Sequence, residues 1–185
     1  MKQTAVIWFS TAMKTKLLLV FACGLAAVCA AQAADAAKPA AQVKVTFVTP
    51  DKFTDIKDGF MDSERDHEYL LGELKAQMVT LAAKYLGAGQ SLEIKVTDVD
   101  LAGDFEPWRG IDFDHVRIVK DIYPPRMNLE FRLLDANGTV VSEGKRRLQN
   151  LGFLMTLGMP PNDPLRYDKE MIRDWMRQEF YQRAS

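Results

Sequence analysis

The sequence predicts an α+β protein, a two-layer sandwich of a mainly antiparallel four- to five-stranded sheet with two helices on one face. Three observations predict it. Several short segments alternate apolar and polar residues, two longer segments repeat apolar residues every three or four positions, and most strands follow one another without an intervening helix. The predicted order of elements is β-α-β-β-β-β-α.

The first strand and the first helix differ in the spacing of their apolar residues. Residues 43–49 (VKVTFVT) alternate apolar and polar side chains and end at Pro50, as a half-buried strand does. Ser63, with Asp66 three positions later, is typical of a helix N-cap, and apolar residues then recur at helical spacing until residues 87–89 (GAG). This pattern predicts a long amphipathic helix.

The next strand contains an irregularity. Leu92 and Val96 lie on one face of this strand. Val99 and Leu101 are odd-numbered, so in a regular strand they would lie on the other face. A β-bulge at Thr97-Asp98 would account for this change of face.

The remaining chain predicts a further strand, a hairpin and a helix. Residues 116–123 form the strand, which Pro124-Pro125 interrupts because neither proline can donate a ladder hydrogen bond. Residues 127–133 alternate cleanly, and a turn at 135–138 (DANG) leads into a strand over 139–148. A last helix begins at Asp163-Pro164 and carries one apolar stripe, formed by Leu165, Ile172, Trp175, Met176 and Phe180.

The first 33 residues predict a cleaved Sec signal peptide. Lys14 and Lys16 precede an apolar run of 15 residues, and Ala31-Gln32-Ala33 fits an A-x-A cleavage site. Met13 begins the more conventional signal, which favours Met13 over Met1 as the start of translation. Cleavage would deliver the chain to the periplasm.

After the signal, residues 34–42 predict a flexible leader and residues 43–182 a single α+β domain. The apolar run is shorter than the ~20 residues that span a bilayer, so no transmembrane segment is expected in the mature chain. Both cysteines, Cys23 and Cys29, lie within the signal, which excludes disulfides from the mature chain. Lipid attachment at Cys23 is not expected, because the residues before it are only loosely like a lipobox.

The charge of the mature chain argues against nucleic acid as a partner. The signal contains three of the 24 basic residues and none of the 25 acidic ones, which leaves a formal charge of −4. An acidic domain is poorly suited to phosphate backbones.

The loop after the bulged strand raises the question of a metal. Asp98, Asp100 and Asp104 begin like an EF-hand calcium loop, but positions five and twelve of such a loop are not carboxylates here. A looser site formed by Asp98, Asp100, Asp104 and His115 remains as an alternative. No metal or other cofactor is expected.

Catalysis is not expected either. The mature chain has no cysteine and no G-x-S-x-G or H-E-x-x-H motif. Glu106 beside Trp108 is a candidate raised-pKa acid, with Asp104 or Asp112 as a second carboxylate. A carboxylate-based or metal-dependent periplasmic hydrolase is therefore the alternative function.

Recognition is the better interpretation of residues 105–110 (FEPWRG), because a Trp beside an Arg is typical of interface hot spots. The alternative is that Trp108 closes the end of the sandwich. Burying a Trp stabilises a domain by roughly 4–6 kcal/mol, which favours that alternative in the free protein. The apolar segment 151–159 (LGFLMTLGM) leaves the same choice open. The candidate binding residues are Phe105, Glu106, Trp108, Arg109, Tyr123, Arg126, Phe153 and Met155.

Four segments together resemble the exported Gram-negative family known as domain of unknown function 3016. They are KVTFVTPDKFTDIKD, LEIKVTDVDLAGDFEPW, VRIVKDIYPPRMNLEFRLLDANG and DPLRYDKEMIRDWMRQEF, and they extend from about Val43 to Phe180. The resemblance implies an exported single-domain protein and brings no activity, ligand or catalytic residue. More loosely, the order of elements is similar to that of small envelope-assembly proteins, which act by binding. We therefore expect a non-catalytic envelope binding or accessory protein, with an envelope protein or an apolar small ligand as its partner.

Overall fold

The computed structural model of the chain describes residues 42–57, 63–110 and 116–181. The predicted signal peptide lies outside these ranges, as does all of the predicted leader except Gln42.

Two α-helices and six strands are formed by the described residues, besides short 3-10 turns. In chain order they are β1 (Gln42–Phe47), α1 (Glu64–Tyr85), β2 (Ser91–Asp100), β3 (Asp104–Phe105), β4 (Arg117–Ile118), β5 (Arg126–Leu134), β6 (Val140–Gln149) and α2 (Arg166–Phe180). The predicted α+β class is confirmed. Neither described helix combines the length and the apolar character needed to cross a membrane.

The main sheet has four strands in the order β1-β2-β5-β6. The pairs β2-β5 and β5-β6 are antiparallel, as predicted, whereas β1 runs parallel to β2. The helix α1 explains this pairing, because it carries the chain from the end of β1 back to the start of β2, and a parallel pair needs such a crossover. The predicted mainly antiparallel sheet is therefore confirmed, but the sheet is mixed.

The predicted strand over residues 116–123 is largely wrong. Its strand is limited to Arg117–Ile118, which pairs with Asp104–Phe105 in a separate two-stranded sheet. A turn follows, in which the Tyr123 N–H donates to the Lys120 carbonyl at 3.0 Å. The Tyr123 carbonyl in turn accepts from the Gly103 N–H at 3.0 Å. The segment thus folds onto the residues after β2 and does not widen the main sheet.

The predicted bulge in β2 is confirmed. The register with β5 shifts between Val96 and Asp98. Beyond the shift Val99 is buried, so Asp98 and Asp100, one residue to either side of it, lie on the opposite face. The bulge thus determines which side of the sheet these two carboxylates occupy.

The core joins alternate residues of the main sheet to the apolar faces of both helices. Phe131 of β5 packs edge to face on Trp175 and Phe180 of α2, with ring centroids 6.0 and 5.7 Å apart. The predicted N-cap of α1 is confirmed, since the Ser63 hydroxyl accepts from the Asp66 N–H at 3.2 Å. The predicted apolar stripe of α2 is buried as well.

Candidate binding site

A cleft of about 490 Å³ opens at the end of the main sheet where β2 ends and β5 begins. The antiparallel pairing places Asp100 opposite Arg126, and residues from the described parts of the connection between the two strands, 101–110 and 116–125, line this end. The residues that line the cleft include Asp55, Asp100, Asp104, Phe105, Tyr123 and Arg126. Three of the predicted binding residues, Phe105, Tyr123 and Arg126, therefore share one cavity.

Glu106 is buried inside this connection, with 1% of its surface exposed. Its Oε1 accepts from the Lys120 ammonium at 2.5 Å and from the Tyr123 hydroxyl at 3.1 Å. The Arg109 Nε lies 2.6 Å from Oε2, as an ion pair. The Lys120 hydrogen bond is the main reason that the pKa of Glu106 is lowered, although burial opposes it. The predicted raised-pKa acid at Glu106 is therefore wrong, because the carboxylate stays ionised.

Tyr123 connects this buried carboxylate to the cleft. Burial raises the pKa of the Tyr123 phenol, and the hydrogen bond to Glu106 raises it further. The hydroxyl therefore stays protonated and donates to Glu106, while the same residue lines the cleft wall.

Trp108 lies at the tip of the connection and is 71% exposed. The tip is a short 3-10 helix, Pro107–Arg109, followed by Gly110 with a φ of 125°, which glycine adopts without strain. The alternative in which Trp108 closes the end of the sandwich is wrong. The indole extends into solvent from a turn whose flanking residues, Glu106 and Arg109, are paired with each other.

Arg117 contacts several of the residues that line the cleft. Its guanidinium donates to both carboxylate oxygens of Asp55, at 2.8 and 3.1 Å, and to the Gly103 carbonyl at 2.8 Å. It also lies 4.8 Å from the centre of the Phe105 ring. Bidentate pairs of this kind are strong and directional. Sequence reasoning missed Asp55 and Arg117, because the two residues are 62 positions apart.

Two of the alternative metal ligands are engaged with protein groups. Asp98 accepts from the Thr54 N–H at 2.9 Å and from its hydroxyl at 3.1 Å. Asp100 pairs with Arg126 at 2.8 Å. The pKa of Asp100 is nevertheless raised, mainly by burial and further by the nearby Asp55 and Asp98, although Arg126 opposes this.

The other alternative ligands do not complete a metal site in the described ranges. Asp104 accepts from the Phe105 N–H at 2.7 Å, as a local turn contact. Among the described residues, no group of three or more His, Cys, Asp and Glu side chains is arranged to hold a metal ion. His115 and Asp112 lie outside the described residues.

The apolar segment 151–159 divides into a buried and an exposed part. Phe153 is fully buried and packs edge to face on Tyr167, with ring centroids 4.9 Å apart. Met155 is 84% exposed. Phe153 therefore anchors the segment, whereas Met155 is available for contact. The segment follows β6, whose last residue pairs with the first residue of β5, so it begins at the cleft end of the sheet.

Asp168, in the first turn of α2, is a buried residue that sequence reasoning missed. Its Oδ1 accepts from the Ala102 N–H at 3.2 Å, and its Oδ2 accepts no hydrogen bond from any described residue. Burial raises the pKa of Asp168 to about 7. A signal was present in the sequence, since Asp168 falls between Leu165 and Ile172 on the apolar stripe at helical spacing.

The fold and the site define an α+β domain with an aromatic loop tip beside a polar cleft. The chain belongs to the family described as Protein of unknown function (DUF3016), which matches residues 41–178 and confirms the resemblance. No curated protein matches the chain. Among solved structures it is similar to a PelC dodecamer from Paraburkholderia phytofirmans that carries a single substitution, at 12% identity over 74% of this chain and 82% of that chain. The TM-score of 0.35 is too low for that likeness to carry an argument.

Proposed function

We propose that this protein is an exported, non-catalytic binding or accessory protein of the bacterial envelope, built as a two-layer α+β sandwich. It binds a protein partner through the loop tip that carries Trp108 and Arg109. The observation that carries this proposal is the 71% exposure of Trp108 on a turn held by the buried Glu106.

Burial of the exposed indole by a partner would contribute favourable free energy to binding. A buried Trp removes about 150–250 Å² from water, which corresponds to roughly 4–6 kcal/mol. The free protein gains only a small part of this, because most of the Trp108 surface stays in water. An interface that covers the indole gains the rest, and Trp beside Arg is the pairing that dominates interface hot spots.

The base of the tip is also held by side-chain contacts. Glu106 is contacted by Lys120, Tyr123 and Arg109, all of which belong to the same connection between β2 and β5. Binding to an ordered turn loses less conformational entropy than binding to a flexible one. The buried carboxylate therefore supports recognition, although it makes no contact with the partner.

The side chains of the tip indicate what kind of surface a partner would need. The Arg109 side chain is 44% exposed, so part of its guanidinium faces solvent beside the indole. A complementary surface would offer an apolar pocket for Trp108 and a carboxylate or carbonyl acceptor for Arg109. Met155 adds an adaptable apolar side chain at the same end of the sheet.

The envelope location rests on the predicted signal peptide over residues 1–33. Fractionation of cells that express the full chain tests it. The mature form is expected in the periplasmic fraction, and full-length protein in the cytoplasm would contradict this location.

The alternative of a carboxylate-based or metal-dependent hydrolase has no support among the described residues. Glu106 stays ionised, and Asp98 and Asp100 are engaged with Thr54 and Arg126. Binding is therefore the function that the described residues support better.

Photo-crosslinking in living cells tests the proposal. A photoreactive residue at Arg109 is compared with one at Val141, which is exposed in the β5-β6 hairpin at the opposite end of the sheet. We expect one discrete protein adduct from position 109 that Trp108→Ala abolishes, and no such adduct from position 141. Identical adducts at both positions, or none from folded protein, would overturn the proposal.

A further inference from the structure

A buried carboxyl group lies directly beneath the cleft. Asp168 is 1% exposed, and its Oδ1 accepts from the N–H of Ala102. The two neighbours of Ala102 in the chain, Leu101 and Gly103, both line the cleft. One hydrogen bond therefore joins the first turn of α2 to the cleft floor.

The charges around Asp168 do not neutralise it. Burial is the main reason that the pKa of Asp168 is raised, and Asp100 adds to it. The backbone N–H groups of Ala102 and of Asp168 itself, together with Arg117, oppose this rise but do not cancel it. Arg117 already donates to Asp55 and to the Gly103 carbonyl. The Oδ2 atom of Asp168 is left without a hydrogen-bond donor from the described part of the chain.

A carboxyl group in this position can avoid an unpaired buried charge in either of two protonation states. It keeps its proton and stays neutral, or it loses the proton and must be solvated. Solvation of Oδ2 requires water between α2 and the end of β2, since the group is closed to solvent in the structure.

We propose that Asp168 is a proton-operated latch. When protonated, it is neutral and stays buried between the first turn of α2 and Ala102. When it loses its proton, water enters at Oδ2 and the floor of the cleft around Leu101 and Gly103 loosens. This inference is independent of the proposed binding function.

The backbone around Gly103 transmits the change to the cleft walls. The Gly103 N–H donates to the Tyr123 carbonyl, and its own carbonyl accepts from Arg117. A displacement of Ala102 therefore moves contacts on both sides of the cleft. The raised pKa of Asp168, about 7, places the change near neutral pH.

Amide hydrogen exchange tests the latch in the full mature chain. The protection factor of the Ala102 amide, corrected for the intrinsic exchange rate, is measured between pH 5.5 and 8.5. We expect it to fall by about tenfold or more as Asp168 ionises. The Val48 amide, which donates to the Val96 carbonyl at 2.9 Å, serves as the reference and should change much less.

The variant Asp168→Asn keeps the side-chain shape and the acceptor for Ala102 but has no proton to lose. Its Ala102 protection should be independent of pH. A flat wild-type profile, or the same pH dependence in the variant, would overturn the latch. If the variant does not fold, the ¹³C resonance of the wild-type Asp168 carboxyl decides. The latch is supported if the carboxyl group titrates over the same pH range in which Ala102 loses its protection. It is wrong if the carboxyl group titrates below pH 5.

Discussion

The Glu106 carboxylate and the Lys120 ammonium lie 2.5 Å apart across fourteen positions of one connection between strands. The carboxylate is buried, whereas the lysine side chain is 33% exposed. This contact ties the base of the Trp108 tip to the segment that returns to β5. Side-chain contacts therefore join the two described parts of the connection, whose strands β3 and β4 have only two residues each.

Glu106→Gln should lower the free energy of unfolding at pH 7, because Lys120 and Arg109 lose their common anion. The lowered pKa gives the sign of the pH dependence. The contribution of Glu106 is present above its ordinary value of 4.5 and is lost as pH falls through the lower folded value. Urea denaturation at pH 7 and pH 3 should therefore show a difference between wild type and variant that shrinks in acid. An equal difference at both pH values would contradict this.

Trp108→Ala should change stability by no more than about 0.5 kcal/mol, because the indole is mostly in water. Trp175→Ala is the matched control, and it should cost about 3–5 kcal/mol, since Trp175 is buried against Phe131 and Phe180. Urea denaturation of both variants measures the contrast. Comparable losses would mean that the Trp108 tip contributes to the core.

The stability of the wild-type protein should fall as pH rises from about 4 to about 7, because the pKa of Asp168 is raised from 3.8 to about 7. The stabilising effect of its bound proton is complete below the unfolded value and is lost through the folded value. A shift of this size corresponds to on the order of 4 kcal/mol. Asp168→Asn should remove this part of the slope in urea denaturation between pH 4.5 and 8.5. Parallel curves for the two proteins would refute the assignment.

Gly103→Ala should destabilise the protein by more than about 1 kcal/mol. Gly103 has a φ of 86°, and an added Cβ would lie 3.0 Å from the Ile118 carbonyl oxygen. Gly72→Ala is the control, because Gly72 lies within α1 with nothing within 4 Å of an added Cβ. That substitution should stabilise the helix by about 0.5–1 kcal/mol. Thermal unfolding of both variants measures the contrast, and loss of stability in both would contradict it.

Local patterns predicted much of the fold. The Ser63 cap, the bulge after Val96 and the hairpin at 135–138 were predicted correctly, because each depends on residues a few positions apart. The parallel pairing of β1 was not predicted, since it depends on where α1 returns the chain. The strand predicted over residues 116–123 was wrong for a related reason. Ile118 and Ile122 would share one face of a strand, but contacts with Gly103 and Glu106 turn the backbone away from the main sheet.

The sequence alone determined the family, the α+β class and the loop that carries the candidate site. Only the tertiary structure decided how the side chains of that loop behave. Trp108 is exposed, Glu106 is buried but ionised, and Asp168 lies beneath the cleft with a raised pKa. The physical reason is one of range. Periodicity and capping act over one or two turns of chain, whereas exposure and pKa depend on neighbours brought together from distant positions, such as Ala102 and Asp168, 66 residues apart.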